Sequence, residues 1–299
     1  MARISRAVRE TINTILVILA VLIVVFIYLV YPLNRTKAFM ARPETEGTTS
    51  DSLMLPNDLT SFTSAGLTAD SLRIESDGIT KLAVASLRPT DSIPRGLAIL
   101  IPSEQRDRSQ ILNLAKACLD SGLAVVTYDQ RATGSSSGIY RSDGQQEAND
   151  LEAVIAYLEI HGQMAHPLVV VGYNAGGDAA LLTAIEETRI NALAAVSPYL
   201  TTDRMIDELR KTKSLVWFPF YRTMFWWWYD IRSSYAAAYR EVVDLKPPSV
   251  PAILVVDAAQ QSDPAVQALS NSAKEPLMIK PVTITDAELV GNLLALAKK

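Results

Sequence analysis

The sequence predicts an α/β fold: a mainly parallel sheet with helices on both faces and an inserted helical cap, preceded by one N-terminal transmembrane helix. Three observations lead there. An apolar run lies near the N-terminus, short apolar strands alternate with amphipathic helices from residue 67 onward, and that rhythm breaks for about fifty residues after Pro198. The 299 residues are ample for a sizeable core, and 49% hydrophobic with 20% charged residues is an ordinary globular balance.

Residues 1–10 form a short tail bearing Arg3, Arg6 and Arg9, and residues 11–31 form the transmembrane helix. From Ile12 to Tyr31 the chain is apolar except at Asn13 and Thr14, and about 20 helical residues cross a bilayer core. No small-residue cleavage pattern follows at Val30, Tyr31 and Pro32, so the run reads as an uncleaved signal anchor. The arginine-bearing tail places the N-terminus in the cytoplasm and the folded body outside it, in the periplasm if the source is bacterial. Residues 32–66, rich in Thr, Ser, Pro and Asp, read as a tether with Leu53, Met54, Leu55, Leu59 and Phe62 free to dock.

The domain proper spans 67–299. It opens with strands at 71–76 and 79–87 around Asp77-Gly78, the signal of a two-residue hairpin turn. Apolar strands at 96–102, 123–129, 168–172 and 192–198 alternate with helices at 109–122, 145–160 and 176–188. Continuous apolar strands separated by helices mean parallel strands buried on both faces. After the cap, at about 199–247, come a strand at 251–257, a helix at 263–273, a strand at 281–285 and a helix from Asp286.

Charge and cysteine content exclude several functions. Residues 1–42 hold six Lys/Arg and one Asp/Glu, which leaves 22 basic against 31 acidic residues in the remainder, a net charge of −9 that repels nucleic acid. The single cysteine, Cys118, excludes an intrachain disulfide framework and a zinc site built on thiolates. No metal and no cofactor are expected.

The most informative segment is VVVGYNAGGDAALL at 169–182, where strand, Gly-x-x-x-Gly turn and helix follow in the order of a nucleophile elbow. A phosphate-binding loop is the poorer reading, because no Gly-Lys-Ser/Thr is present and Asp178 repels phosphate. The segment resembles the α/β-hydrolase family, in its cap-containing, serine-hydrolase-like branch. The likeness extends over residues 67–299 and takes in AVVTYDQRATGSSSG at 124–138, similar to that family's Asp-x-Arg-x-x-Gly-x-Ser loop. It implies an elbow of Gly172, Tyr173, Asn174, Ala175 and Gly176, with Asn174 in the nucleophile's place. It implies an acid after the strand at 254–256, for which Asp257 or Asp263 is the remnant. A base is implied after the last strand, where 282–290 holds Asp286 and Glu288 but no histidine. The two histidines, His161 and His166, precede the strand that leads to the elbow, and Pro102-Ser103 replaces the family's His-Gly of the oxyanion loop.

An asparagine amide is no nucleophile at neutral pH, and a serine hydrolase needs a base of imidazole-like proton affinity. No catalytic residue is therefore expected, and the chain reads as an inactive, membrane-anchored binding or scaffolding subunit of a membrane complex. Two alternatives stand beside it. One is an esterase- or peptidase-like hydrolase that recruits Ser135, Ser136, Ser137 or Asp129 from what composition reads as a flexible polar loop. The other is a small-molecule carrier using the pocket beneath the cap. The segment 217–229 holds all four tryptophans and nine of the 21 aromatic residues. Trp217, Phe220, Phe225, Trp226, Trp227, Trp228 and Tyr229 are accordingly expected to meet the bilayer interface or a membrane partner, besides packing on their own domain.

Overall fold

A computed structural model describes residues 6–30, 59–78, 80–89, 93–103, 108–138, 141, 144–212 and 246–298. Helix α1 (Arg6–Val25) continues into a π-helical turn (Phe26–Val30), and its described side chains from Val8 to Ile27 are exposed. Val8–Val25 has a mean hydropathy of 2.2 and is long and apolar enough to cross a membrane. Within it Thr14 Oγ1 donates to Glu10 O at 3.0 Å, so that hydroxyl is satisfied without water.

Helix α2 (Thr60–Ser64) folds onto the domain from the end of the expected tether, because Phe62 is fully buried among Leu87, Leu114 and their neighbours. Burying a phenylalanine stabilises by roughly 1.5–3 kcal/mol, enough to hold so short a helix in place.

The strands are β1 (Ala69–Glu75), β2 (Lys81–Leu87), β3 (Leu97–Ile101), β4 (Ala124–Tyr128), β5 (Leu168–Tyr173), β6 (Ala192–Val196), β7 (Ala252–Val256) and β8 (Leu277–Pro281). They form one eight-stranded sheet in the order β1-β2-β4-β3-β5-β6-β7-β8. Strand β2 runs antiparallel to β1 and β4, and the other neighbours are parallel. Leu97, Ile99 and Ile101 of β3 face one core while Ala98 and Leu100 face the other, so a strand buried on both sides carries no polar residue. The first core is closed by α4 (Gln145–Ile160), α5 (Ala175–Thr183) and α8 (Pro264–Ser272). The second is closed by α2, α3 (Leu112–Asp120) and α9 (Asp286–Leu296). Helix α6 (Thr202–Thr212) follows β6, and the short α7 (Ala258–Gln261) follows β7.

Three local expectations change. The hairpin ends close between Ser76 and Thr80, where Ser76 N donates to Thr80 O at 2.9 Å, so the turn is longer than the two residues Asp77-Gly78. Asp77 closes that turn by accepting Thr80 N at 2.6 Å, with Gly78 at φ +79°. The last strand is Leu277–Pro281, not 281–285: Ile284 N turns back to Pro281 O at 3.0 Å, and Thr285 Oγ1 caps α9 by accepting Glu288 N at 3.3 Å. The helix after the elbow ends at Thr183, where the expected one ran to residue 188.

Candidate active site

Strand β5 ends in a turn too tight for side chains at its glycines. A Cβ on Gly172 would lie 2.1 Å from Gly176 O, and one on Gly176 would lie 2.7 Å from Ile101 Cγ2. This close approach lets α5 start directly beneath β3 and leaves Asn174 at the apex with φ 50° and ψ −118°. Asparagine tolerates a positive φ better than most residues.

Asn174 is tied to the strand beside it. Its backbone N donates to Val196 O at 2.9 Å, and its side-chain Nδ2 donates to Ser197 O at 3.2 Å. Asp178, one helical turn later and 1% exposed, accepts Tyr199 N at 3.1 Å and Leu200 N at 2.9 Å. Ser197 and Leu200 both have positive φ, 49° and 65°. Two side chains of the elbow thus hold the strained exit loop of β6, from which α6 departs. In the sequence Asp178 speaks only against a phosphate, and nothing local marks its partners Tyr199 and Leu200.

The acid candidates act as helix caps. Asp257 accepts Gln260 N at 2.6 Å at the start of α7. Asp263 accepts Ala265 N at 2.8 Å at the start of α8 and pairs with Arg204 of α6 at 3.1 Å. Both line a cleft of about 370 Å³ together with Thr201, Asp203, Asp207 and Glu208, and no elbow residue borders it.

At the place of the base, Asp286 opens α9 near Tyr173 and Cys118. Burial raises its carboxyl above the ordinary range. Burial first, then the Asp286 charge, pushes the Cys118 thiol up to about 12 and moves the Tyr173 phenol upward as well. Glu288 points elsewhere, toward Lys280 at 3.7 Å. His161 is exposed at the end of α4, stacked on Tyr157 with 3.8 Å between ring centroids. His166 is exposed before β5, and at about 3.3 Å per strand residue it stands roughly 20 Å from the elbow.

The oxyanion side is occupied from within. Pro102 has no N–H, and Ser103 N donates to Gln110 Oε1 at 2.8 Å, while Gln130 Nε2 donates to Pro102 O at 2.6 Å. These two glutamines carried no sequence signal.

Residues 129–137 form a pinned loop, which corrects the flexible one expected. Ser135, Ser136 and Ser137 are buried. Ser136 Oγ accepts Ala83 N at 2.8 Å and donates to Asp129 O at 2.5 Å, and Ser137 Oγ accepts Lys81 N at 2.7 Å. The hydroxyls satisfy the end of β2 that extends past β4. The Asp129 carboxylate accepts Ser135 N at 2.9 Å and faces Arg108 Nε at 3.1 Å. Arg131 grips the buried Asp150 with two bonds, of 2.8 and 2.6 Å. Among the described residues no group of three or more His, Cys, Asp or Glu is placed to hold a metal ion. The aromatic residues Trp217 to Tyr229 lie outside the described residues.

The strand order, the elbow between β5 and α5, and the helix after β8 define the α/β-hydrolase fold. A family model for serine aminopeptidase, S33, matches residues 94–269, more than half of the chain, and the chain belongs to that family. Solved structures agree on the fold. An esterase of Pyrococcus furiosus aligns with a TM-score of 0.63 at 16% identity, covering 87% of this chain and 97% of its own. Est1E from Butyrivibrio proteoclasticus, solved with ferulic acid bound, gives 0.54 at 20% identity over 75% and 99%. An alpha-beta serine hydrolase homologue from Coxiella burnetii gives 0.50 at 18% over 77% and 94%. No curated protein matches the sequence.

Proposed function

We propose that this chain is a membrane-anchored α/β-hydrolase-fold protein that does not carry out the serine-hydrolase reaction and serves as a binding or scaffolding subunit at the membrane. The observation that carries the reading is Asn174. The group at the nucleophile position is an amide whose nitrogen is committed to Ser197 O, and the two histidines of the sequence stand at the other end of β5 or beyond. Acyl transfer needs a nucleophile, a base within hydrogen-bond reach and an oxyanion donor. The first is absent, the second has no imidazole, and Ser103 N–H is taken by Gln110. The apolar, fully exposed α1 supports an uncleaved anchor, with the domain outside the cytoplasm. The aromatic segment 217–229 supports a contact with the bilayer interface or with a membrane partner.

The hydrolytic alternative has support of its own in the family and in the esterase-like fold, and one residue speaks for it. Asp286 occupies the base's place in the topology, and its raised carboxyl is a weak base that could activate water without a side-chain nucleophile. The full chain purified in mild detergent separates the readings. The binding reading expects no fluorophosphonate labelling, no ester or peptide turnover, no activity in Asn174→Ser, and a stoichiometric co-eluting protein. Turnover that survives purification and disappears in Asp286→Asn would establish the hydrolase instead.

A further inference from the structure

Helix α2, at the end of the expected tether, is joined to the oxyanion side of the site by a short series of contacts. Phe62 is the one buried side chain of this five-residue helix, and Leu59 and Leu67 on either side are half-buried. A helix of one turn with no side-chain cap does not persist by itself, so α2 is folded only while Phe62 is docked. The seat of Phe62 is the 3₁₀ turn Arg108–Ile111, on which α2 packs directly. Ile111 is fully buried in the same core as Phe62, and the Arg108 guanidinium carbon lies 5.9 Å from the centre of the Phe62 ring, within cation–π range. Asp129 holds the same guanidinium at 3.1 Å. A 3₁₀ turn has poor hydrogen-bond geometry of its own, so the packing around it sets its position. Gln110 lies between Arg108 and Ile111 in that turn, and its Oε1 accepts Ser103 N at 2.8 Å.

We propose that α2 is a strap that couples the tether to the oxyanion side of the site. Docked, it keeps the Arg108–Ile111 turn where Gln110 occupies the Ser103 N–H; undocked, it leaves that N–H open to solvent or to an oxygen of a bound molecule. The inference goes beyond the binding reading and holds whether or not the domain hydrolyses a substrate. Two arrangements of one small element bias the turn, and such coupling is reciprocal: whatever frees Gln110 from Ser103 also loosens α2.

The test is hydrogen exchange read at single amides of the full chain in mild detergent, with Ile99 of β3 as the reference for global opening. Phe62→Ala should speed exchange at Ser103 about ten-fold relative to Ile99. Gln110→Ala, at a half-buried position outside the core, should speed exchange about three-fold relative to Ile99 at Phe62 and Leu67, whose amides donate to Leu59 O at 3.1 Å and Phe62 O at 2.9 Å. Leu293→Ala removes a buried side chain from the same core on α9 and should leave the ratio of Ser103 to Ile99 exchange within about two-fold of wild type. An unchanged ratio in Phe62→Ala overturns the strap, as does a rise in Leu293→Ala equal to that in Phe62→Ala. If Phe62→Ala does not fold, Gln110→Ala decides the matter, and unchanged exchange at Phe62 and Leu67 in that variant overturns the proposal.

Discussion

Asp178→Asn tests whether the elbow helix holds the exit loop of β6. The carboxylate is 1% exposed and accepts two backbone N–H groups, from Tyr199 at 3.1 Å and Leu200 at 2.9 Å. An asparagine of the same shape keeps one acceptor oxygen and turns an NH2 toward the second N–H, so one bond is lost and two donors face each other. Hydrogen bonds to a charged group contribute about 1.5–3 kcal/mol, and a buried donor left unpaired costs about 1–3 kcal/mol, so a destabilisation of about 3 kcal/mol is expected. For a domain of this size that lowers Tm by roughly 6–12 °C. Thermal unfolding of the detergent-solubilised chain measures the loss, and hydrogen exchange at Tyr199 and Leu200 locates it. Stability within about 0.5 kcal/mol of wild type, with unchanged protection at both amides, would refute the role assigned to Asp178.

Further outcomes follow from single contacts. Gly172→Ala should prevent stable folding, since its Cβ would lie 2.1 Å from the Gly176 carbonyl, whereas Gly291→Ala in α9 meets nothing within 4 Å and should raise stability by up to about 1 kcal/mol; soluble expression and melting temperature compare the two. The Cys118 thiol, buried and pushed up to about 12, should ignore a disulfide reagent at pH 8 and react once the chain is denatured. Hydrogen bonding from Arg189 lowers the Glu187 carboxyl below its ordinary value, so its stabilisation is present above about pH 4.3 and is lost as pH falls through the lower folded value. Glu187→Gln should therefore unfold more easily than wild type at pH 7 and converge with it in acid, a pattern that melts across a pH series would reveal.

What the sequence makes legible follows burial. Strands β3, β5 and β7 are buried on both faces and consist of apolar residues, so they stand out in the chain. The edge strand β8 is half exposed, and its residues Leu277 to Pro281 mix apolar with charged ones. The β-branched residues just after it, Val282, Thr283 and Ile284, imitate a strand while forming the turn that leads to the helix cap Thr285. Ser135 to Ser137 show the reverse error. Gly and Ser composition marks a turn, but nothing local records that Lys81 and Ala83 of β2 extend past β4 and need those hydroxyls as acceptors. The glycine spacing around Asn174 was readable because close backbone approach admits no other residue at Gly172 and Gly176. The partners of Asn174 and Asp178 were not, because both lie across the sheet in a loop more than twenty positions away.

A strained elbow that carries no serine asks why its geometry is kept, and the contacts supply a reason independent of catalysis. A tight turn at Gly172 and Gly176 is what brings α5 against Ile101 of β3 and Ala195 of β6, so loosening it would open the middle of the sheet. The same turn aims Asn174 and Asp178 at the loop 197–200, where their bonds add to that of Ser197 N to Val255 O at 2.8 Å in holding the positive-φ residues Ser197 and Leu200. That loop is the root of α6, which leads in the sequence toward the aromatic segment 217–229. The elbow is thus a mechanical part of the fold, in which Asn174 adds a side-chain donor to Ser197 O. Packing of α5 on β3 and β6 and support of the loop 197–200 are sufficient to keep the turn whatever residue stands at its apex.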